Sequence, residues 1–513
     1  MPSFEITKRS TLMSQTSKER LHHLHGQLSA AAKPYFILVA VILTAMLPLF
    51  MANFNYLDDL GRTAIGYRLW DNYSRYISEY GSIFVHAGTY LTDISPLPQI
   101  LAVLIMAAAG LMVILCLKEE HKAISVFDII AVLPLALSPY FLECLSYKFD
   151  APYMAFSVLA SAFPALVYTY HGRGVPFFIS SVLGTLCMCL SYQAASGIFP
   201  MLIVWIAFSR WNRRQTGEAL SLALQAALCY LAGLLIFKLV CMPSVDSYVS
   251  TSILPLPQLI PGFLSQLQSY ARLIFSDFKK TWLLLIAVLS FFSVLHSVVD
   301  SRQNRLCAFF VAVLTLAIAF SLAFGIYPAL VTPLEAPRAM FGFGVLIAII
   351  AVFAVNAKRS ILSRLCAFAL SWCFLTFACT YGNALIEQKR FAESRIQLVL
   401  QDLNDLPLMN NGKLKAVAVH GDVGYAPVIE RIPRNQGILF RLIPTLFSEN
   451  DWGENYFYCF YGIKDIAMLE DGSYVLDQMD ITKLDLPVLK DTMFHTIRGN
   501  DDYIVIDLKG HSE

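Results

Sequence analysis

The sequence predicts a polytopic α-helical membrane protein that ends in a small water-soluble α/β domain. Three observations carry that fold class. Of the 513 residues, 57% are hydrophobic and only 15% charged, with 36 Phe, 24 Tyr and 6 Trp and a mean hydropathy of +0.58. Soluble domains run at roughly 45–50% apolar and about 25% charged. The apolar residues gather in runs of about 20, the length that crosses a bilayer. Charge is divided along the chain: residues 387–513 hold 13 basic and 20 acidic residues, a net of −7, whereas the first 386 carry a net of +8. The near-neutral total of +1 hides this division. Such a composition excludes a cytosolic enzyme, a disordered chain and a nucleic-acid binder.

Residues 1–34 are polar and basic, with Lys8, Arg9, Lys18, Arg20 and Lys33. They precede an apolar run at 35–54, which is too long for the core of a cleavable signal. That basic flank is expected on the cytoplasmic side. His22, His23 and His25 read as a solvated turn rather than a metal site. Ten more runs follow, at 98–117, 126–145, 150–170, 176–192, 194–210, 218–241, 281–299, 306–331, 339–357 and 361–384, giving about eleven transmembrane helices. Basic turns separate alternate pairs: Lys118 with Lys122, Arg173, Arg210 with Arg213 and Arg214, Arg302 with Arg305, and Lys358 with Arg359. With the N-terminus inside, all of these fall on the cytoplasmic side. An odd number of spans sends the tail outside. The expected organisation is therefore a cytoplasmic segment 1–34, a membrane body 35–386 with outer loops 55–97 and 242–280, and an outer C-terminal domain 387–513. In that domain 415–422 and 503–508 read as strands, and 393–406 as a helix leaving the last span. The 242–280 loop turns amphipathic after Pro261, like a helix lying in the interface. The 11 cysteines show no CxxC and no zinc spacing, and read as small hydrophobes.

The outer segments carry the candidate chemistry. Asp58 and Asp59 stand at the exit of the first span. A carboxylate partly desolvated at the membrane boundary suits a general base for a hydroxyl acceptor. Two adjacent aspartates point different ways in regular structure, so one can face a cavity while the other orients it. Arg338, Arg62 and Lys148 lie at the same level and suit a lipid phosphate, Arg best because its fork pairs phosphate oxygens bidentately. Trp70, with Tyr67 and Tyr90, suits stacking on sugar rings. Tyr147 and Asp150 in SYKFDAPY stand beside them at the outer edge as further substrate contacts. There is no Walker-type phosphate loop and no GxSxG.

The first-span exit FNYLDDLGRTAIG and the stretches SYKFDAPYMAFSVLASAFPAL, LSYQAASGIFPM and APRAMFGFG are followed by an outer C-terminal domain. In these features, over nearly its whole length, the chain resembles the Gtr-type serotype-converting O-antigen glucosyltransferases of enteric bacteria and their phages, within the GT-C group of polytopic glycosyltransferases. The resemblance implies a GT-C-like body and transfer of glucose from undecaprenyl-phosphate-glucose to a lipid-linked O-antigen acceptor. The reaction would take place at the periplasmic face of the bacterial inner membrane, alongside a flippase and a donor-lipid synthase. It implies an acidic base in the first outer loop, hence Asp58 or Asp59, and a donor-phosphate role for Arg338. No cofactor is implied and use of a divalent metal is left open, with Asp150 and Glu335 as the carboxylates that could join such a site. A transporter or flippase of lipid-linked sugars is the rival from another class, and an O-antigen polymerase or ligase the nearer one. Against the transporter, the charges cluster at the outer ends and not at mid-membrane.

Overall fold

The computed structural model describes residues 31–118, 123–242, 252–357, 361–412, 415–431, 437–447, 453–463 and 480–510. The basic segment before residue 31, including the three histidines, lies outside the described residues, as do Lys122, Lys358 and Arg359.

Apolar runs dictate helices because a backbone in hydrocarbon must satisfy its own hydrogen bonds. The chain opens with α1 (Ala31–Ala52), followed by the short α2 (Asp59–Ile65) and α3 (Tyr76–Val85). Next come α4 (Leu97–Leu117), α5 (Val126–Val132), α6 (Pro134–Leu137), α7 (Pro139–Ser146), α8 (Ala151–His171), α9 (Val175–Ser191), α10 (Ile198–Asn212) and α11 (Thr216–Ile236). After α12 (Leu256–Asp277) the chain returns through α13 (Lys280–Val299), α14 (Arg305–Leu322), α15 (Gly342–Val355) and α16 (Ile361–Asn404). Among the described residues, eight helices are long and apolar enough to cross a membrane, or nine if the bent run of α5 to α7 is one span. The two remaining apolar runs, α9 and α15, are helices of 17 and 14 residues. All eleven runs read from the sequence therefore meet helices.

Two of those runs change shape. The expected single helix at 126–145 bends by 60° before α7. Ser138 is extended, the conformation favoured before a proline, and Pro139 cannot supply the N–H that would continue the ladder. The last span and the expected helix at 393–406 are one continuous helix of 44 residues, α16. At 1.5 Å per residue it runs about 66 Å, far longer than a bilayer core. Its distal half therefore becomes part of the C-terminal domain.

That domain holds a four-stranded sheet of β1 (Ala416–His420), β2 (Val488–Asp491), β3 (His495–Gly499) and β4 (Tyr503–Leu508), in the order β1-β4-β3-β2. β1 lies parallel to β4, and the other pairs are antiparallel. Strand alternation sorts the side chains. Ile504 and Ile506 pack with Ile396, Val399 and Leu403 of α16, while Val505 faces Ala416, Ala418 and Ile481. Three short helices complete the domain: α17 (Pro427–Glu430), α18 (Gly437–Leu442) and α19 (Gly453–Tyr461). α18 docks into the membrane body, with Ile438, Leu439 and Leu442 in the main core.

The ends of the body separate. At one end Arg214 Nε donates to the Arg302 carbonyl, Asn212 Nδ2 to the Ser297 carbonyl, and Asn356 Nδ2 to Asp128, which is also ion-paired with Lys118. At the other end the 55–97 loop, residues 146–150, the strap before α15 and the C-terminal domain converge.

Close backbone approach holds α16 on α1. A Cβ at Gly382 would stand 2.4 Å from the Leu49 nitrogen and 2.6 Å from the Pro48 carbonyl carbon, both backbone atoms that cannot swing away. Gly382→Leu should lower the thermal unfolding midpoint of the detergent-purified protein, at a cost of about 1–3 kcal/mol. An unchanged midpoint would mean that the two helices are not held at this point.

Candidate active site

The site is built from the turn that follows α1. Asn53 and Leu57 lie in the left-handed region, at φ 41° and 46°, and reverse the chain. Asp59 Oδ2 closes the turn by accepting the Tyr56 N–H at 3.1 Å, and it also accepts the Lys148 N–H at 2.9 Å. One fully buried carboxylate thus pins the first outer loop to residues 146–150. Its other oxygen is buried with no hydrogen-bond partner among the described residues. Burial pushes the Asp59 carboxyl well above the usual carboxylate range, against the opposing pull of the two backbone donors. α2 ends at Gly66, whose φ of 64° suits a residue without Cβ, and the Tyr90 ring lies over it so closely that a Cβ would meet the ring at 2.4 Å.

A second tie runs alongside. Asp150 is ion-paired with Arg62 and also accepts from Trp70 Nε1. The Arg62 guanidinium lies 4.0 Å above the Trp70 ring, which Tyr153 meets edge-on at 5.6 Å. Trp70 is 1% exposed, so its ring has no face left for a sugar, contrary to the sequence expectation. Tyr147 is likewise buried, edge-on to Tyr56 at 4.9 Å, and Asp150 is buried with each of its oxygens engaged, one by Arg62 and one by Trp70. Packing against each other uses up the groups expected to touch substrate.

The three cations assigned to phosphate each have a carboxylate already. Arg62 has Asp150. Lys148 Nζ donates to Asp93 at 2.8 Å and to Asn55 at 2.7 Å. The Arg338 guanidinium donates to Glu143 Oε1 at 2.8 Å, and the Arg338 backbone N–H binds the same carboxylate. Arg338 lies 6.0 Å from the Tyr147 ring, so it does share the level of the other candidates. Glu335 is engaged by Ser269 Oγ at 2.6 Å. Among the described residues no cluster of three His, Cys, Asp or Glu is placed to hold a metal ion.

Asp58 differs from its neighbour. It is the exposed residue of the pair and stands immediately before α2, within electrostatic reach of Arg62, Tyr67, Tyr147 and Asp150. The residues before it, Tyr56 and Leu57, line a cleft of about 730 Å³ between body and C-terminal domain. The body contributes Glu143, Glu335 and Arg338 to that cleft, and the domain contributes Asp422, Tyr425, Glu430 and Arg441. Hydroxyl-bearing and carboxylate side chains converging in a space of this size suit a polar ligand of sugar dimensions.

Sequence reading missed the partners that assemble this end. Glu143 was hidden inside an apparent span. Asp277, at the end of α12, accepts from Tyr140 Oη at 2.8 Å and is ion-paired with Arg441, which binds the Glu335 carbonyl as well. Tyr56 and Tyr381 both donate to the Leu442 carbonyl, at 2.9 and 3.1 Å. A lone acid in an apolar run was the available signal for Glu143. No local pattern marked Arg441.

Comparison with known proteins gives two matches. The sequence profile of the family described as glucosyl transferase GtrII matches residues 47–355, more than half of the chain. A protein of Salmonella phage P22, described as an uncharacterized 55.3 kDa protein in the gtrB 5' region, is 25% identical over 436 residues, which cover 81% of this chain and 87% of the phage protein. No solved structure matches.

The Asp59 tie generates a pH signature. An acid whose folded pKa lies above its unfolded one holds its proton more tightly when folded. It therefore adds stability at acid pH that is lost as pH rises from the ordinary carboxylate value through the raised one. Asp59→Asn keeps an oxygen for both backbone donors and cannot ionise. Thermal unfolding of wild type minus variant should therefore fall with rising pH across that window, leaving the variant the more stable above it. A difference that is flat with pH would show that Asp59 titrates normally.

Proposed function

The chain belongs to the GtrII glucosyl transferase family, and on that premise we propose that it transfers glucose from undecaprenyl-phosphate-glucose to O-antigen repeat units, with Asp58 as the general base. We place the reaction at the periplasmic face of the bacterial inner membrane, where it would modify the lipopolysaccharide serotype. The observation that carries the assignment is the contrast between the two aspartates: Asp59 is locked inside the turn, while Asp58 is exposed and directly follows Leu57, which lines the cleft.

In this reading the acceptor hydroxyl attacks C1 of the glucosyl group as the C1–oxygen bond to phosphate breaks. The bonding electrons leave with the undecaprenyl phosphate, and the hydroxyl proton passes to Asp58. A phosphate leaving group needs its charge held more than it needs a proton. Arg62, Lys148 and Arg338 supply positive potential at this end, although each is shared with a carboxylate. Asp59 and Asp150 act on the reaction only by fixing where Asp58 and Arg62 stand.

The basic turns of 210–214 and 302–305 meet at the far end of the body from this cleft. Their basic character supports reading that end as cytoplasmic and the cleft as periplasmic. Counting α9, α15 and the bent α5–α7 run as crossings gives eleven spans, which carries the C-terminal domain to the same side as the cleft.

The assignment is tested with purified protein, polyprenyl-phosphoglucose and O-antigen acceptor. Asp58→Asn should lower the rate of glucose transfer by about a hundredfold to ten-thousandfold, as loss of a general base does, with unfolding unchanged. Asp59→Asn should retain transfer. Full transfer by Asp58→Asn would remove it as the base, and glucose addition absent even from wild type would remove the reaction.

A further inference from the structure

Most of the cations around the 55–97 loop are matched by carboxylates, and Lys389, which is not, is held by the Ala52 and Asn53 carbonyls. Arg62, Lys148, Arg338 and Arg441 pair with Asp150, Asp93, Glu143 and Asp277, and Arg68 pairs with Glu79 at 3.2 Å. Arg75 has no carboxylate partner among the described residues. It is the residue before α3, and its Nε donates to Gln193 Oε1 at 3.1 Å. Its guanidinium lies against the rings of Tyr192 and Tyr73, with centroids at 4.7 and 5.1 Å. Its two terminal nitrogens make no hydrogen bond among the described residues, and neither is among the buried unsatisfied atoms. A guanidinium fixed by its Nε and by rings at its faces keeps its N–H edge free and pre-aimed for an anion with paired oxygens.

The surroundings say where such an anion comes from. α3 turns Tyr80 and Phe84 outward at 61% and 86% exposure. α9 packs on α3 through Ser78 Oγ, which donates to the Ser191 carbonyl at 3.1 Å. An apolar surface next to a cation at the helix end suits a ligand with a hydrocarbon tail and a charged head. Tyr192 and Tyr327 lie within electrostatic reach of both Arg75 and Arg338, and Asp150 within reach of both Arg75 and Asp58.

We propose that Arg75 holds the phosphate of the lipid-linked donor, with Arg338 across Tyr192 and Tyr327 as its second cation. This rests on the reading of a lipid-phosphate donor given above.

The test compares wild type, Arg75→Ala and Arg75→Lys in lipid nanodiscs, by transfer kinetics and by direct binding of undecaprenyl phosphate. Arg75→Ala should raise the donor KM by about ten- to a hundredfold, the worth of a charge-assisted contact, with the acceptor KM unchanged. Arg75→Lys, which keeps the charge and loses the fork, should recover part of it. Undecaprenyl phosphate should inhibit wild type competitively with donor and lose that hold in Arg75→Ala. Inorganic phosphate should not inhibit, and equal inhibition by it would point to a free-phosphate site instead. An unchanged donor KM, or a loss shared equally by acceptor and donor, overturns the proposal. If wild type transfers no glucose, the binding arm still decides: undecaprenyl phosphate bound equally by wild type and Arg75→Ala removes Arg75, whatever the reaction.

Discussion

The geometry of the end of the body that holds the cleft depends on one buried carboxylate, that of Asp150. It takes Arg62 by an ion pair and Trp70 by its indole N–H, and through them it fixes the loop that carries Asp58. Taking two charges out of water is expensive, and the cost is offset only when the remaining hydrogen-bonding capacity is filled. Trp70 fills one side of the carboxylate and the Trp70 ring accepts the Arg62 face. Asp59 adds a second tie to the same segment, one residue pair away, through the Lys148 N–H. This arrangement leaves Asp58 as the residue that the fixed frame presents outward.

The C-terminal domain is joined to that frame by similar chemistry. α18 sets apolar side chains in the membrane core, while Arg441 reaches the buried Asp277 and the tyrosines of α16 and the first loop bind the Leu442 carbonyl. Gln388 of α16 completes the seam, donating to the Gly424 carbonyl at 2.9 Å and accepting the Ala426 N–H at 2.8 Å. The cleft is therefore walled by parts of the chain that lie far apart in sequence, Tyr56, Glu143 and Arg338 on one side and Asp422 and Arg441 on the other. A polar ligand held there meets both the membrane body and the outer domain.

Most of the body was legible in the sequence because membrane helices announce themselves by length and hydropathy alone. β1 and β4 were legible because β1 alternates Val with Ala and β4 carries the β-branched run Ile504-Val505-Ile506. The hairpin of β2 and β3 was not, since VLKD and HTIRG are short and polar and acquire their order from pairing. At the site, the acidic pair and the basic residues were visible as exceptions to charge sorting. Their roles were not, because they depend on which charges neutralise which. Lys148 and Asp93 lie 55 residues apart, Arg338 and Glu143 195. Trp70 looked like a sugar platform until its ring was found beneath Arg62, a contact that no local pattern encodes.

The unbroken course of α16 has a consequence for how the two halves could ever be recombined. A flexible linker would let the outer domain find its own seat. A continuous helix gives it an azimuth set by residue count. One residue added or lost between the membrane and the sheet would turn the domain by about 100° and shift it by about 1.5 Å. Arg441 would then no longer face Asp277, and the cleft would lose one wall. Exchanges of this domain between relatives are therefore bound to keep helical phase, a constraint on length as strict as any on the identity of the residues it carries.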